Sequence, residues 1–483
     1  MKTNSGSKNA TSGIFRLLLL VAGFGMPGLA ADSDSVARPN IVLVMTDDQG
    51  YGDLGFTGNP IIKTPHIDAF AKESLQFANF HVSPTCAPTR CALMTGRHEF
   101  RSGVTHTILE RERMSLKAIT IAQVLKSAGY TTGIFGKWHL GDQPEYQPNR
   151  RGFDEVFIHG AGGIGQTYAG SCGDAPGNTY FDPALLHNGR FEKTKGYCTD
   201  LFFTQAIEWM DARRKQKAPF FAYITPNAPH APLQCPDEYA RRYAGKTETS
   251  VAKFYGMIEN IDDNFGRLLK KLQEWGLKQN TVVIFMTDNG GTAGVKIFNA
   301  GMRGQKATPY EGGTRVPSFW RWPAGIHGGR DCNALTAHID IFPTLAQLAG
   351  AKVSAQTELD GRSLVPLLRD PQADWPDRFL FTHVGRWEKG KAEGAKFTNC
   401  AVRNNRFQLV NNSELYDLKV DPGEMTNVIA EHVEVVAKMR GAYDRWWSEI
   451  LPTLENEDAV GPSVNPFKEL YWKQFGKAAG IPK

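Results

Sequence analysis

The seven cysteines include no Cys-x-x-Cys pair, which excludes zinc-finger logic. After the first thirty residues no segment approaches the roughly 20 uninterrupted apolar residues of a membrane span. Neither charge dominates: 55 Lys+Arg stand against 50 Asp+Glu, a formal net charge of +5. Lys2, Lys8 and Arg16 supply part of that excess, so the body of the chain is near neutral and has little general attraction for nucleic-acid phosphates. There is no internal repeat and no low-complexity segment. What is present is ordinary globular material, 41% hydrophobic and 22% charged, which excludes wholesale disorder. A length of 483 residues fits one large α/β domain with a smaller one attached.

Residues 1–30 read as a signal peptide. Lys2, Lys8 and Arg16 form a basic n-region, Phe15–Phe24 an apolar h-region, and Gly28-Leu29-Ala30 a small-residue cleavage site. The expected product is exported, periplasmic or secreted, without a membrane span. Such compartments permit disulfides. Cys172 and Cys198 bracket a Gly-rich loop and are the pair best placed for one, the alternative being two unpaired thiols.

Short apolar runs alternate with helical periods. Ile41–Met45, Thr131–Phe135, Phe220–Thr225 and Val282–Met286 read as buried strands. From Ser250 to Trp275, apolar residues recur at helical spacing. The alternation predicts an α/β fold with a mostly parallel central sheet covered by helices on both faces. After about residue 375, short strand-like pieces crowd together before a helical stretch at Val433–Ile450. The expected organisation is a catalytic domain over 31–375 and a smaller C-terminal subdomain, an antiparallel sheet plus helix, over 376–483.

Two of the apolar strands end in oxygen donors, Asp47-Asp48 and Asp288-Asn289. Ligands of open α/β sheets bind at the carboxyl ends of strands, and two matched pairs there suit calcium or magnesium better than zinc. Each pair alone would read as a helix or turn cap. The segment Cys86-Ala87-Pro88-Thr89-Arg90 opens a helix that Gly96 closes. Cys86 then sits at a helix N-terminus, where the dipole favours negative charge, with Arg90 one turn further along the same face. Lys137 and His139 follow a strand two residues apart, so an extended segment would point both the same way. His230 follows a proline-bounded loop and Lys306 lies in a Gly-punctuated stretch.

Cys86-x-Pro-x-Arg90 followed by Leu93-Met94-Thr95-Gly96-Arg97 resembles the signature of the type I, formylglycine-dependent sulfatases of the alkaline-phosphatase-like superfamily. Segments at Asn40–Gly52, Gly133–Gly141, Thr287–Gly290, Arg303–Pro317 and Glu414–Asn427 resemble the family's other motifs in order. The resemblance implies one calcium ion, less expectedly magnesium, held by Asp47, Asp48, Asp288, Asn289 and the modified Cys86. It implies a sulfate site of Arg90, Lys137, His139, His230 and Lys306, with Asp288 as a base. Cys86 would be converted to formylglycine by a maturation enzyme, and the substrate would be a sulfate ester, of a carbohydrate or an aryl group.

Two other readings compete. A phosphatase or phosphodiesterase of the same superfamily would use Ser or Thr and two zinc ions with several His ligands, where this chain has Cys86 and oxygen donors. A silent binder of sulfated glycans would keep Cys86 as a thiol. His98, Arg101, His106, Arg111 and Arg113, together with residues 159–178, are the candidate specificity residues. The single sequon of the mature chain, at Asn411, favours a bacterial enzyme over a lysosomal one.

Overall fold

The central strands are apolar on both faces, so each must be covered from both sides. In the computed structural model, which describes residues 38–166, 168–216 and 218–476, this is what happens. Ile41, Leu43 and Met45 of the strand Asn40–Thr46 point into one core, and Val42 and Val44 into another on the opposite face. The first core is closed by helices Cys86–Thr95, Ile121–Ser127 and Ile341–Leu348. The second is closed by Pro65–Lys72, Cys198–Arg214 and Thr249–Glu274. The signal-peptide reading of residues 1–30 lies outside the described residues.

The sheet has ten strands. Five adjacent ones run parallel, in the order Thr281–Thr287, Asn40–Thr46, Phe220–Thr225, Thr131–Lys137, Glu155–His159. Ser318–Arg321 adds antiparallel on one side, followed by Leu75–Phe77 and Arg330–Cys332, and the hairpin Ala184–His187 and Arg190–Lys193 adds on the other. The predicted parallel sheet is therefore its centre, and the antiparallel additions are short flanking pieces. In the register of the adjacent strands Asn40–Thr46 and Thr281–Thr287, Thr46 lies opposite Thr287. That alignment delivers Asp47-Asp48 and Asp288-Asn289 side by side at the carboxyl edge.

The C-terminal sheet is antiparallel, with strands Leu380–His383, Cys400–Arg403, Phe407–Val410 and Glu414–Asp417. Helix Val433–Ile450 covers it through Tyr443, Trp446 and Trp447, with Trp446 stacked on Phe381 at 4.9 Å. Beyond it the chain returns to the large sheet. Helix Pro466–Phe475 packs on the edge strand Arg190–Lys193, where Phe467 and Tyr471 meet Phe191 edge-on. There the Gln474 side chain accepts from the Phe191 N–H and donates to the Phe191 carbonyl.

All seven cysteines are buried and unpaired, which decides between the two readings of Cys172 and Cys198 in favour of unpaired thiols. Cys198 opens a helix and packs into the second core, while the backbone N–H of Cys172 is held by the Glu112 carboxylate. Among the described residues no helix is long and apolar enough to cross a membrane.

Candidate active site

The helix Cys86–Thr95 begins at the carboxyl edge of the sheet and is buried throughout. Gly96 ends it in the left-handed conformation, as the sequence requires. Cys86 thus lies at the helix N-terminus, with Sγ 3.5 Å from His139 Nδ1. Burial raises its pKa, but Lys137 and Lys306 outweigh that effect and leave the thiol below its ordinary value. One turn along, Arg90 reaches under the site. It donates to the Lys137 carbonyl at 3.2 Å, to Thr225 Oγ1 and to Asp288 Oδ2 at 2.8 Å. Burial disfavours its charge, yet Asp288, Tyr223 and Asp47 hold its pKa above the usual arginine value.

The two strand ends interlock. Asp48 takes a left-handed backbone, and its N–H donates to Asp288 Oδ1 at 3.1 Å. Asn289 donates Nδ2 to Asp48 Oδ1 at 3.0 Å. Lys137 is ion-paired to Asp47, and Lys306 lies 2.6 Å from Asp48 Oδ1. Burial raises the carboxyls of Asp47 and Asp288 to about 6. Burial also pushes Asp48 up, but Lys306 and His230 bring it below the ordinary carboxylate range. Lys306 is raised in turn, since Asp48 and the other acids outweigh its burial.

Neighbouring segments dock onto this centre through the backbone. Lys306 N–H donates to Gly291 O and Ala307 N–H to Pro84 O, tying the lysine segment to both motifs. A Cβ on Gly290 would stand 1.9 Å from the Gly312 carbonyl, so only glycine permits that approach. Asp47 N–H donates to Ala228 O and anchors the loop carrying His230, whose Nε2 lies 3.7 Å from Asp48 Oδ2.

The structure brings together Asp47, Asp48, Cys86, Arg90, Lys137, His139, His230, Asp288, Asn289 and Lys306. Lys137 and His139 reach it differently from the extended geometry expected. The strand ends at Lys137, and His139 has a φ of 58°, a turn that sends its ring to Cys86 while Lys137 goes to Asp47. Of the candidate specificity residues, Arg111 and Arg113 are spent on Glu457 and Glu110, and Arg101 pairs with Glu449 away from the centre. Sequence reasoning missed Thr225 and Thr107, and it placed the glycines at 162 and 163 in a candidate specificity loop rather than against the site histidines. Thr225 ends a central strand, the same positional signal that marked the acids. Thr107 offers its carbonyl to His139 Nε2 at 2.8 Å, and a Cβ at Gly162 or Gly163 would stand 2.9 Å from the rings of His139 or His230.

A family model described as Sulfatase matches residues 39–351, and one described as N-sulphoglucosamine sulphohydrolase, C-terminal, matches residues 305–445. The chain belongs to the sulfatase family. This sulfatase is 32% identical over 462 residues to Arylsulfatase A of Homo sapiens, covering 86% of each chain. It is 31% identical to N-acetylgalactosamine-6-sulfatase of Sus scrofa, across 97% of this chain and 96% of that one. Among solved structures, Ps i-CgsB in complex with k-i-k-neocarrahexaose matches with a TM-score of 0.78 and 29% identity, over 90% of this chain and 97% of that chain. Like these relatives, the sulfatase is a sulfuric ester hydrolase.

The donor set fits a hard cation. Asp47 Oδ1 and Asn289 Oδ1 are buried without a hydrogen-bond partner, and every expected protein ligand besides residue 86 offers oxygen. One ligand atom each from Asp47, Asp48 and His230 also falls within 4.8 Å of the others. Arg90, Lys137 and Lys306 match the three acids Asp47, Asp48 and Asp288, so a divalent ion would satisfy the orphaned oxygens and make the centre net positive, a balance suited to an anionic substrate.

Proposed function

We propose that this exported sulfatase hydrolyses sulfate esters of carbohydrates through a formylglycine formed from Cys86 by a maturation enzyme, with one calcium ion. The observation that carries the reading is the position of Cys86 at a buried helix start, facing His139, with cationic side chains around it. The catalytic unit is taken to end near residue 375. Asp47, Asp48, Asp288 and Asn289, with residue 86, would hold the ion. The ion supplies positive charge and Lewis acidity toward the ester oxygens. A hydrated aldehyde at residue 86 would supply two hydroxyls on one carbon, one to accept the sulfuryl group and one whose loss of a proton would release sulfate.

The chain's own residues do the rest. Arg90, Lys137 and Lys306 neutralise sulfuryl oxygens in a largely buried site, where preorganised charge is most effective. His139 donates Nε2–H to the Thr107 carbonyl, so Nδ1 is its free acceptor, aimed at residue 86. Its pKa is driven far down, first by burial and then by Lys137, so the ring is neutral and ready to take a proton from that side chain. Asp288, with a carboxyl near 6, is a second base at the same edge. His230 donates Nδ1–H to the Ala231 carbonyl, leaving Nε2 to serve the leaving oxygen. It delivers a proton only as imidazolium. Burial opposes that state, and Asp48 and an anionic substrate favour it. The substrate class follows from the cationic centre and from the glycans named for the relatives.

Mass spectrometry of the peptide containing Cys86 tests the assignment. An aldehyde at that position, with sulfate release proportional to its occupancy and absent in Cys86→Ala, is the expected result. Turnover at the full rate with an unmodified thiol refutes it.

A further inference from the structure

The turn Gly385-Arg386-Trp387 joins the C-terminal subdomain to the loop that holds His139. Both flanking residues are fixed. A Cβ on Gly385 would stand 1.9 Å from the Thr105 carbonyl, and the Gly385 N–H donates to His383 Nδ1. Trp387 is buried against Phe100, its carbonyl takes Arg111 Nη1 at 2.7 Å, and its indole N–H goes to Glu457. Between them Arg386 has a φ of 62°, a conformation that costs a side-chain-bearing residue about 1 kcal/mol or more.

That strained position presents an exposed guanidinium. Among the described residues Arg386 has no ion-pair partner, and its hydrogen bond is a long 3.4 Å contact to Thr107 Oγ1. The Thr107 carbonyl is the group that holds His139 Nε2. Arg386 therefore stands two contacts from the reacting centre with most of its donor fork unspent. Leu109, two residues along from Thr107, is 49% exposed, and Tyr168 is 55% exposed beside Gly170, where an added Cβ would stand 3.8 Å from Leu109 Cα. They supply apolar surface of the kind a sugar face covers.

We infer that Arg386 is a specificity-determining residue that binds a second anionic group, carboxylate or sulfate, on the sugar next to the one being desulfated. The inference rests on the glycan-sulfatase reading above. A guanidinium keeps its charge at all working pH and matches planar or tetrahedral oxyanions through paired N–H groups. Strain carried at an exposed arginine without an internal partner has no packing benefit to offset it, whereas a ligand contact would.

The test uses enzyme with a measured aldehyde at position 86 and para-nitrophenyl sulfate as reporter. Three disaccharides compete with it: one singly sulfated, one with a sulfate and a uronate carboxylate, one with two sulfates. The parent is expected to bind a doubly anionic competitor about fivefold more tightly than the singly sulfated one, a preference that added salt weakens. Arg386→Asn, which tolerates the left-handed backbone, should erase the preference and keep the melting midpoint. Arg386→Lys should restore part of it. Which competitor is preferred identifies the oxyanion. A parent without preference, or an Arg386→Asn variant that retains it, overturns the inference, as does a variant that only melts lower. A parent carrying the aldehyde that releases no sulfate overturns the site reading itself, and this inference with it.

Discussion

Gly162→Ala should cripple catalysis while sparing the fold. The new methyl would stand 2.9 Å from both Cε1 and Nε2 of His139, inside any normal carbon contact. The ring cannot step aside freely, because Nε2 is held by the Thr107 carbonyl at 2.8 Å and the side chain is buried. Gly162 has no left-handed φ, so the substitution adds no backbone strain and its effect is steric. Restoring ordinary contact requires a displacement of about 0.5–1 Å, and a misplacement of 1 Å at a catalytic group costs on the order of 100-fold. The expectation is a kcat lower by roughly 10- to 100-fold, with a loss of stability near 1 kcal/mol. Steady-state kinetics on a sulfate ester, at matched aldehyde occupancy, reads the first quantity and thermal melting the second. Gly394→Ala, where a Cβ meets nothing within 4 Å, is the control and should behave as the parent. A Gly162→Ala enzyme with kcat within about twofold of the parent would show that His139 is not the proton acceptor argued here.

Exhaustive chelation should abolish sulfate release, and calcium should restore it while raising the melting midpoint by mass action; undiminished activity after chelation refutes the ion site. His383 is buried, donates Nε2–H to the Ala395 carbonyl, and has its pKa lowered by burial from 6.5 to about 4. The unfolded chain therefore takes up a proton that the folded one refuses, so stability should fall as pH drops from 6.5 toward 4, by up to roughly 3 kcal/mol. His383→Gln should flatten that part of the pH–stability curve in denaturant titrations, and an unchanged slope counts against the assignment.

The centre of the fold was legible because parallel strands buried on both faces must be apolar throughout. Asn40–Thr46 and Thr281–Thr287 announce themselves in that way, and their polar ends mark the carboxyl edge. The flanking strands carry no such signal. Arg190–Lys193 has one buried residue among four, and Ser318–Arg321 is too short to show a period. The ionisable site residues could be named because their chemistry is in the side chain. What holds them could not, because Thr107, Gly162 and Thr225 act through a carbonyl, an absent methyl and a hydroxyl delivered from distant parts of the chain. The left-handed turn at His139 was equally hidden, since nothing in Gly136-Lys137-Trp138-His139 distinguishes it from a continuing strand.

The helix Pro466–Phe475 has a consequence beyond packing. A sheet that ends on an open strand offers its unpaired amides to any second sheet it meets. Here Gln474 occupies those groups at Phe191 with one amide, as a neighbouring strand would. The chain's last described helix thus works as a stopper on the sheet. Trimming it, or prying it loose with a bulky carboxyl-terminal fusion, would leave residues 190–193 free to pair with another molecule. Self-association of the enzyme at high concentration would then be governed by a segment remote from the sulfate site.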